Sequence, residues 1–304
     1  MYGAETEVAA ADIVAGCMRR MAKAIPVVTR DLIGPLIAEA VTQGAFTVPN
    51  KFGYFHGMYA HLRSLSEETA AEAAVTKPVH ETHGDGGSST HFPSAVLARN
   101  AKFEAVGSLF AFFSLLEHLL VIGLAFTEYD PLQEPFGDFL RMNWGEKFKR
   151  VVGLKDKDDK LIYDALQLLA DENRNPSAHG GVDRNVANVH VHLVGYGAVP
   201  TGVTSTSQRP TYTFEPELPQ SVFPFADYHF FGGSVDGWEA VDKILAWMRS
   251  GPLADAFTYG ESTVPVWFDG DSRKALRSAA AAGELEEFMD RRSFMVDQAS
   301  NMDW

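Results

Sequence analysis

The chain has a single cysteine, Cys17, among 304 residues. One thiol excludes an intrachain disulfide and a cysteine-built zinc site, and it fits a reducing compartment. Positive charge is also scarce, with 26 Lys and Arg against 40 Asp and Glu and a net charge of -14. That balance opposes broad attraction to nucleic acid or to an anionic membrane, so any nucleic-acid surface must be a local basic patch. Missing too are a Gly-rich phosphate loop, a nucleophile elbow and a zinc-protease helix signature. The first residues, "MYGAETEVAAADIVAGCMRRMAK", put Glu5, Glu7 and Asp12 ahead of the basic ones, the reverse of a secretory signal, so the expected location is the cytoplasm.

Long apolar runs are few. Residues 105–126, "AVGSLFAFFSLLEHLLVIGLAF", are long and apolar enough to raise a membrane span, with Glu117 and His118 at the middle. A central acidic residue costs about 2.5–3.5 kcal/mol on insertion scales, against about 0.3–0.6 gained per Leu, Ile or Phe, so energy alone does not decide. No second span and no flanking basic cluster accompany this run. The expectation is a helix surrounded by other helices, with no membrane partner.

What the sequence does contain, 46% hydrophobic and 12% aromatic residues, is enough to build a substantial core. Helices are expected at 4–24 and 29–43, separated where Pro26 removes an N–H and fixes its backbone angle. Residues 45–59 mix aromatics with Gly and Pro and read as packed loop, followed by a short helix at 60–75. The Gly- and Ser-rich stretch 82–94 marks a boundary before a long helix at 94–127. One short helix is expected in "FLRMNWGEKFKRVVGL". In "DKDDKLIYDALQLLADENR", Leu161, Ile162, Ala165, Leu168 and Leu169 recur at helical spacing. Beyond residue 182, "ANVHVHLVGYGAVP" and "RPTYTFEP" alternate as two or three antiparallel strands. A helix at 235–249, a strand "TVPVWF" and a last helix from 271 follow. The fold class is therefore mainly α: an N-terminal helical segment over 1–94, a helical bundle over 95–182 and a C-terminal α+β extension over 183–304.

The segment "LLADENRNPSAHGGVDR", residues 168–184, interrupts this pattern. On one continuous helix Arg174 and His179, five positions apart, would diverge by about 140° around the axis. Pro176 lies between them and pushes Asn175 out of the helical region, so the helix ending near Arg174 breaks and restarts with Asn175 as cap. Ser177, Ala178 and His179 then occupy a first turn whose free N–H groups, with the nearby guanidinium, suit an anion such as phosphate. Gly180 and Gly181 leave room for close approach. The plainer reading is a helix–helix turn with Arg174 and His179 on the surface, and spacing alone leaves both open.

Taken with its surroundings, this stretch resembles the HEPN superfamily, helical bundles marked by an arginine, four to six residues and a histidine, often with a polar residue after the arginine. Arg174, Asn175 and His179 match that pattern. An apolar helix bearing an acidic residue ("SLLEHLL", Glu117), a break and a shorter helix precede the motif, and the resemblance covers about 95–182. It implies a metal-independent endoribonuclease, often found in toxin–antitoxin, abortive-infection or anti-phage defence systems, acting as a homodimer on an RNA substrate without cofactors. Arg174, His179 and Asn175 would be catalytic, with Ser177 and Glu117 supporting, the latter by positioning His179. An antitoxin or regulatory protein is an expected partner. Non-catalytic members serve as binding or assembly modules, which is the alternative here.

Residues 141–160, "RMNWGEKFKRVVGLKDKDDK", hold seven basic and four acidic residues, net +3, and Lys147, Lys149 and Arg150 are the expected RNA-backbone contacts. The same charges equally describe a solvated helix face. His80, His83 and His91 with Asp85 contain metal-ligand types without defined geometry, and His190 and His192 alternate on one strand face; no metal site is expected from either. Trp238 and Trp247 fall on an amphipathic helix and are expected to pack inward.

Overall fold

The computed structural model describes residues 3–84, 86–171, 186–193, 197–204, 211–213 and 236–300, and the protein is mainly α. The chain opens with α1 (Gly3–Val28), a π-helical turn (Thr29–Ile33) and α2 (Gly34–Thr42) in unbroken succession. Pro26 lies inside α1 and does not end it, contrary to the expected stop. Proline deletes one N–H and crowds one carbonyl, a local cost that a solvent-exposed helix absorbs, and the irregular wide turn comes only after Val28. Pro35, two residues after the end of the wide turn, likewise lacks the N–H that a continuing helix would use.

A short strand β1 (Thr47–Val48) leads to α3 (Phe52–Val75), which starts eight residues before the expected 60. Phe52, Tyr59 and Ser66 are its buried positions, each seven apart, so one face two turns in period faces the core. The Gly and aromatic residues of 52–59 masked that period. The side chain of Asn50 fixes this start: Oδ1 accepts from Phe52 N at 3.0 Å, while Nδ2 donates to the carbonyls of Tyr259, Gly260 and Ser262. One amide thus satisfies orphan groups at the beginning of one helix and the end of another.

The Gly- and Ser-rich stretch forms a hairpin of β2 (Val79–Thr82) and β3 (Ser88–His91), and α4 (Pro93–Leu124) follows at once. The apolar helix is the centre of the protein: from Leu109 to Leu124 most of its side chains are buried, on every side. It is the one helix among the described residues long and apolar enough to cross a membrane, and two thirds of its most apolar window is buried against the rest of the chain. Helix α3 runs antiparallel along it. Ser66 Oγ donates to Ala101 O at 2.7 Å and Ser108 Oγ to Tyr59 O at 3.0 Å, and the absent side chain of Gly107 leaves room for Leu62.

Where one short helix was expected there are two, α5 (Phe136–Arg141) and α6 (Trp144–Val151). Asn143 splits them with a capping box: its side chain accepts from Glu146 N, and Glu146 Oε2 accepts from Asn143 N, each at 2.9 Å. Helix α7 (Lys157–Leu169) contributes Leu166 and Leu169 to the core. Strands β4 (Val186–Leu193), β5 (Gly197–Thr204) and β6 (Thr211–Thr213) form an antiparallel sheet in that order, as the alternation predicts.

Helices α8 (Asp236–Ser250), α9 (Ala254–Gly260), α10 (Gly270–Ala282) and α11 (Leu285–Ser300) complete the described residues. The short α9 was not expected, and the single last helix is two, divided at Gly283 with φ 73°, a left-handed C-cap. Between α9 and α10, β7 (Val266–Trp267) pairs antiparallel with β1, joining the segment before α3 to the one before α10. One continuous core runs from Phe52 to Met289 and draws on all three stretches named from the sequence.

Candidate functional site

Helix α4 presents Ser114, Glu117, His118 and Val121 along one face, the spacing of three and four that aligns residues on successive turns. With Phe55 from α3 and Lys147 from α6 they line an open cleft of about 310 Å³. Lys147 Nζ donates to Glu117 Oε2 at 2.9 Å. The lysine is only 5% exposed and the glutamate side chain 33%, so the cation is enclosed and the carboxylate faces the cleft.

His118 lies beside this pair. Its Nε2 accepts from the Lys51 backbone N–H at 2.9 Å, which in the neutral ring leaves the proton on Nδ1. Burial, and secondarily the Lys51 charge, push its pKa down to about 4, so the ring is neutral at ordinary pH. Phe55 packs against it with ring centroids 5.8 Å apart. The cleft therefore offers one carboxylate, one enclosed ammonium and one neutral imidazole on an apolar wall, a set suited to hydrogen-bonding a polar group.

Arg174, Asn175, Ser177 and His179 lie outside the described residues. Glu117 is described, with Lys147 as its partner. The three expected RNA contacts are each engaged within the chain. Lys147 is enclosed by Glu117, Lys149 Nζ stands 4.9 Å above the Tyr163 ring, and Arg150 pairs with Glu134 at 2.7 Å. The burial of Lys147 was legible in principle: it shares the inward face of α6 with Trp144, Phe148 and Val151 at spacings of one to four. His118 and the Lys51 N–H were not singled out, because their meeting needs the α3–α4 pairing. Of the other basic residues, Lys155, Lys157 and Lys160 are exposed, and Arg141 pairs with Asp138 at 2.6 Å.

A second hollow of about 390 Å³ lies between α7 and α8, lined by Leu161, Ile162, Ala165, Ala240 and Ile244, with Glu239 and Lys243 at its rim. On the hairpin, His80 Nδ1 meets Thr90 Oγ1 at 2.9 Å, His83 Nε2 meets Ser89 Oγ at 3.0 Å and His91 approaches Glu81 at 3.6 Å. Asp85 is outside the described residues. Among the described residues no three potential metal ligands converge. His190 and His192 stand two apart on β4, opposite Pro200 and Ala198 of β5. Trp247 packs inward, stacked 5.6 Å from Phe148, and its Nε1 donates to Asp159 Oδ1. Trp238, partly buried, lies under the Arg63 guanidinium.

No protein-family model, curated protein or solved structure matches the chain.

Proposed function

We propose that the protein is an endoribonuclease of the HEPN type, with Arg174, Asn175 and His179 as its catalytic residues and a two-fold dimer as its active form. The observation that carries this reading is the sequence Arg174-Asn175-Pro176-Ser177-Ala178-His179, which begins five positions after the last residue of α7 in the chain. That helix shares its core with α4, whose cleft-facing side bears Glu117.

The chemistry follows from what a single motif lacks. Cleaving RNA through its own 2′-OH requires a base to take that proton, a charge to stabilise the phosphorane and an acid to protonate the departing 5′-oxygen. One motif supplies one histidine. Two copies related by a two-fold axis supply two, so one His179 takes the 2′-OH proton as oxygen attacks phosphorus, and the other gives a proton as the bond to the 5′-oxygen breaks. The two Arg174 guanidinium groups hold the phosphate oxygens, and Asn175 orients them. The products are a 2′,3′-cyclic phosphate and a free 5′-hydroxyl, and DNA is spared because it lacks the 2′-OH. In the cell such an enzyme fits a toxin or a phage-defence effector, held in check by an antitoxin or regulatory protein.

A second reading, a non-catalytic binding or assembly module, draws on the Glu117–Lys147 pair: the acidic residue assigned to position His179 already has a partner at 2.9 Å. One experiment separates the two. Purified protein is incubated with total RNA in EDTA beside His179→Ala, and the cleaved ends are mapped. Cyclic-phosphate ends from the parent chain and none from the variant are expected; cleavage that survives the substitution, or none from either, overturns the nuclease reading.

A further inference from the structure

Residues 12–43 carry the largest group of exposed apolar side chains among the described residues. From Asp12 to Gln43 no side chain is buried. Val14, Met18, Met21, Ile25, Val28 and Leu32 follow one another in steps of 4, 3, 4, 3 and 4, the heptad spacing that keeps a seam on one side of a helix. Each is between 43% and 66% exposed. A soluble chain covers such a stripe unless something else does.

We infer that this helix is an interface with a second copy of the same chain, packed seam to seam as a coiled coil. Three observations select that occupant. The positions flanking the seam on either side, Ala15, Cys17, Ala22, Ala24, Thr29 and Asp31, carry one charge between them, so two identical seams meet without opposed like charges. The basic residues Arg19, Arg20, Lys23 and Arg30 and the helix-interior Pro26 all fall on the outer positions, away from the seam. Arg30 is further neutralised by Asp31.

The area also suffices. Burying one Val, Leu, Ile or Met side chain removes roughly 60–120 Å² of apolar surface, so six such residues from each copy bury on the order of 1,000 Å², the lower bound of a specific interface. At the end of the π turn Ile33, and beyond it Leu36, Ile37 and Val41, are exposed as well and lengthen the apolar surface. The wide turn, Thr29–Ile33, adds a residue to one turn of helix and shifts the heptad register there, so the seam is regular from Val14 to Val28 and Leu32 sits in the shifted turn.

The test of this interface reads association and not RNA cleavage, so its outcome is separate from that of the nuclease reading. The full chain is measured by sedimentation equilibrium and by flotation with phosphatidylserine vesicles, together with Met21→Glu/Ile25→Glu in the seam and Arg19→Glu/Arg20→Glu on the outer face. Expected is a mass of twice 33.3 kDa for the parent and the outer-face variant, and a tenfold or greater rise in dissociation constant for the seam variant. Circular dichroism checks that both variants keep their helices. A monomeric parent chain overturns the assignment. So does a dimer that survives the seam substitutions, which would lie elsewhere on the molecule, or a parent chain that floats with vesicles in place of self-associating.

Discussion

Glu117 Oε2 and Lys147 Nζ lie 2.9 Å apart, the carboxylate on the face of α4 that borders the cleft and the ammonium shut in behind it. The unequal exposure of the partners makes their removal unequal. Glu117→Ala leaves an enclosed cation without a counter-charge and should cost about 2–3 kcal/mol of stability. Lys147→Met leaves a carboxylate that water already reaches and should cost about 1 kcal/mol or less. Urea unfolding of both single variants and the double variant measures this; equal losses would show that the pair is solvated as a unit.

His118 makes stability depend on pH. Its folded pKa of about 4 is below the ordinary 6.5, so the unfolded chain binds more protons between those values. Stability is therefore complete above about pH 6.5 and falls on acidification toward pH 4, by on the order of 1–2 kcal/mol after discounting for solvent in the cleft. His118→Gln should flatten that part of the profile, measured by denaturation midpoints from pH 7.5 to 4.5. An unchanged slope would assign the acid sensitivity to other groups.

Arg63 ties α3 to α8. Its guanidinium engages both carboxylate oxygens of Asp242, donates to Tyr59 Oη at 2.8 Å and lies 4.9 Å from the Trp238 ring centroid. A planar fork serves all three, and a lysine ammonium cannot. Arg63→Lys should thus lose nearly as much as Arg63→Ala, about 1–2 kcal/mol. Thermal unfolding of the two variants tests it, and a lysine that restores full stability would reduce the contact to simple charge.

Gly260 is required by close approach. A Cβ there would lie 2.6 Å from Cδ2 of the buried Phe52 ring. Gly260→Ala should cost about 1–3 kcal/mol by overpacking, and Phe52→Leu in the same chain should recover part of it. A fully additive double variant would mean that the ring is free to move.

Periodicity was a good guide where one face or all faces of a long element are apolar. The core helix α4, the helix α7 and the antiparallel strands β4 to β6 fall where spacing put them, because burial of a continuous stripe is recorded residue by residue. It failed where a single residue decides the outcome. Pro26 did not stop α1, since an exposed helix tolerates one missing bond, and Asn143 split α6 from α5 through two hydrogen bonds that composition does not announce. The aromatic, Gly-containing start of α3 read as loop because its inward positions recur only every seven residues. Short α9 carries too few residues to show a period.

For the site, the sequence by itself determined the inventory: an acidic residue in the middle of an apolar helix, a run of basic residues after it, and an arginine and a histidine on either side of Pro176. It could not determine which charge meets which. Lys147 and Lys149 are two residues apart on one short helix, and only the packing of α6 against α4 encloses the first with Glu117 while the second rests on Tyr163. His118 became a neutral acceptor because α3 delivers the Lys51 N–H to it from 67 residues away. Such partners are set by long-range packing, in which helices meet along faces whose pairing no local pattern encodes, whereas the helices themselves are written in the local spacing of their apolar residues.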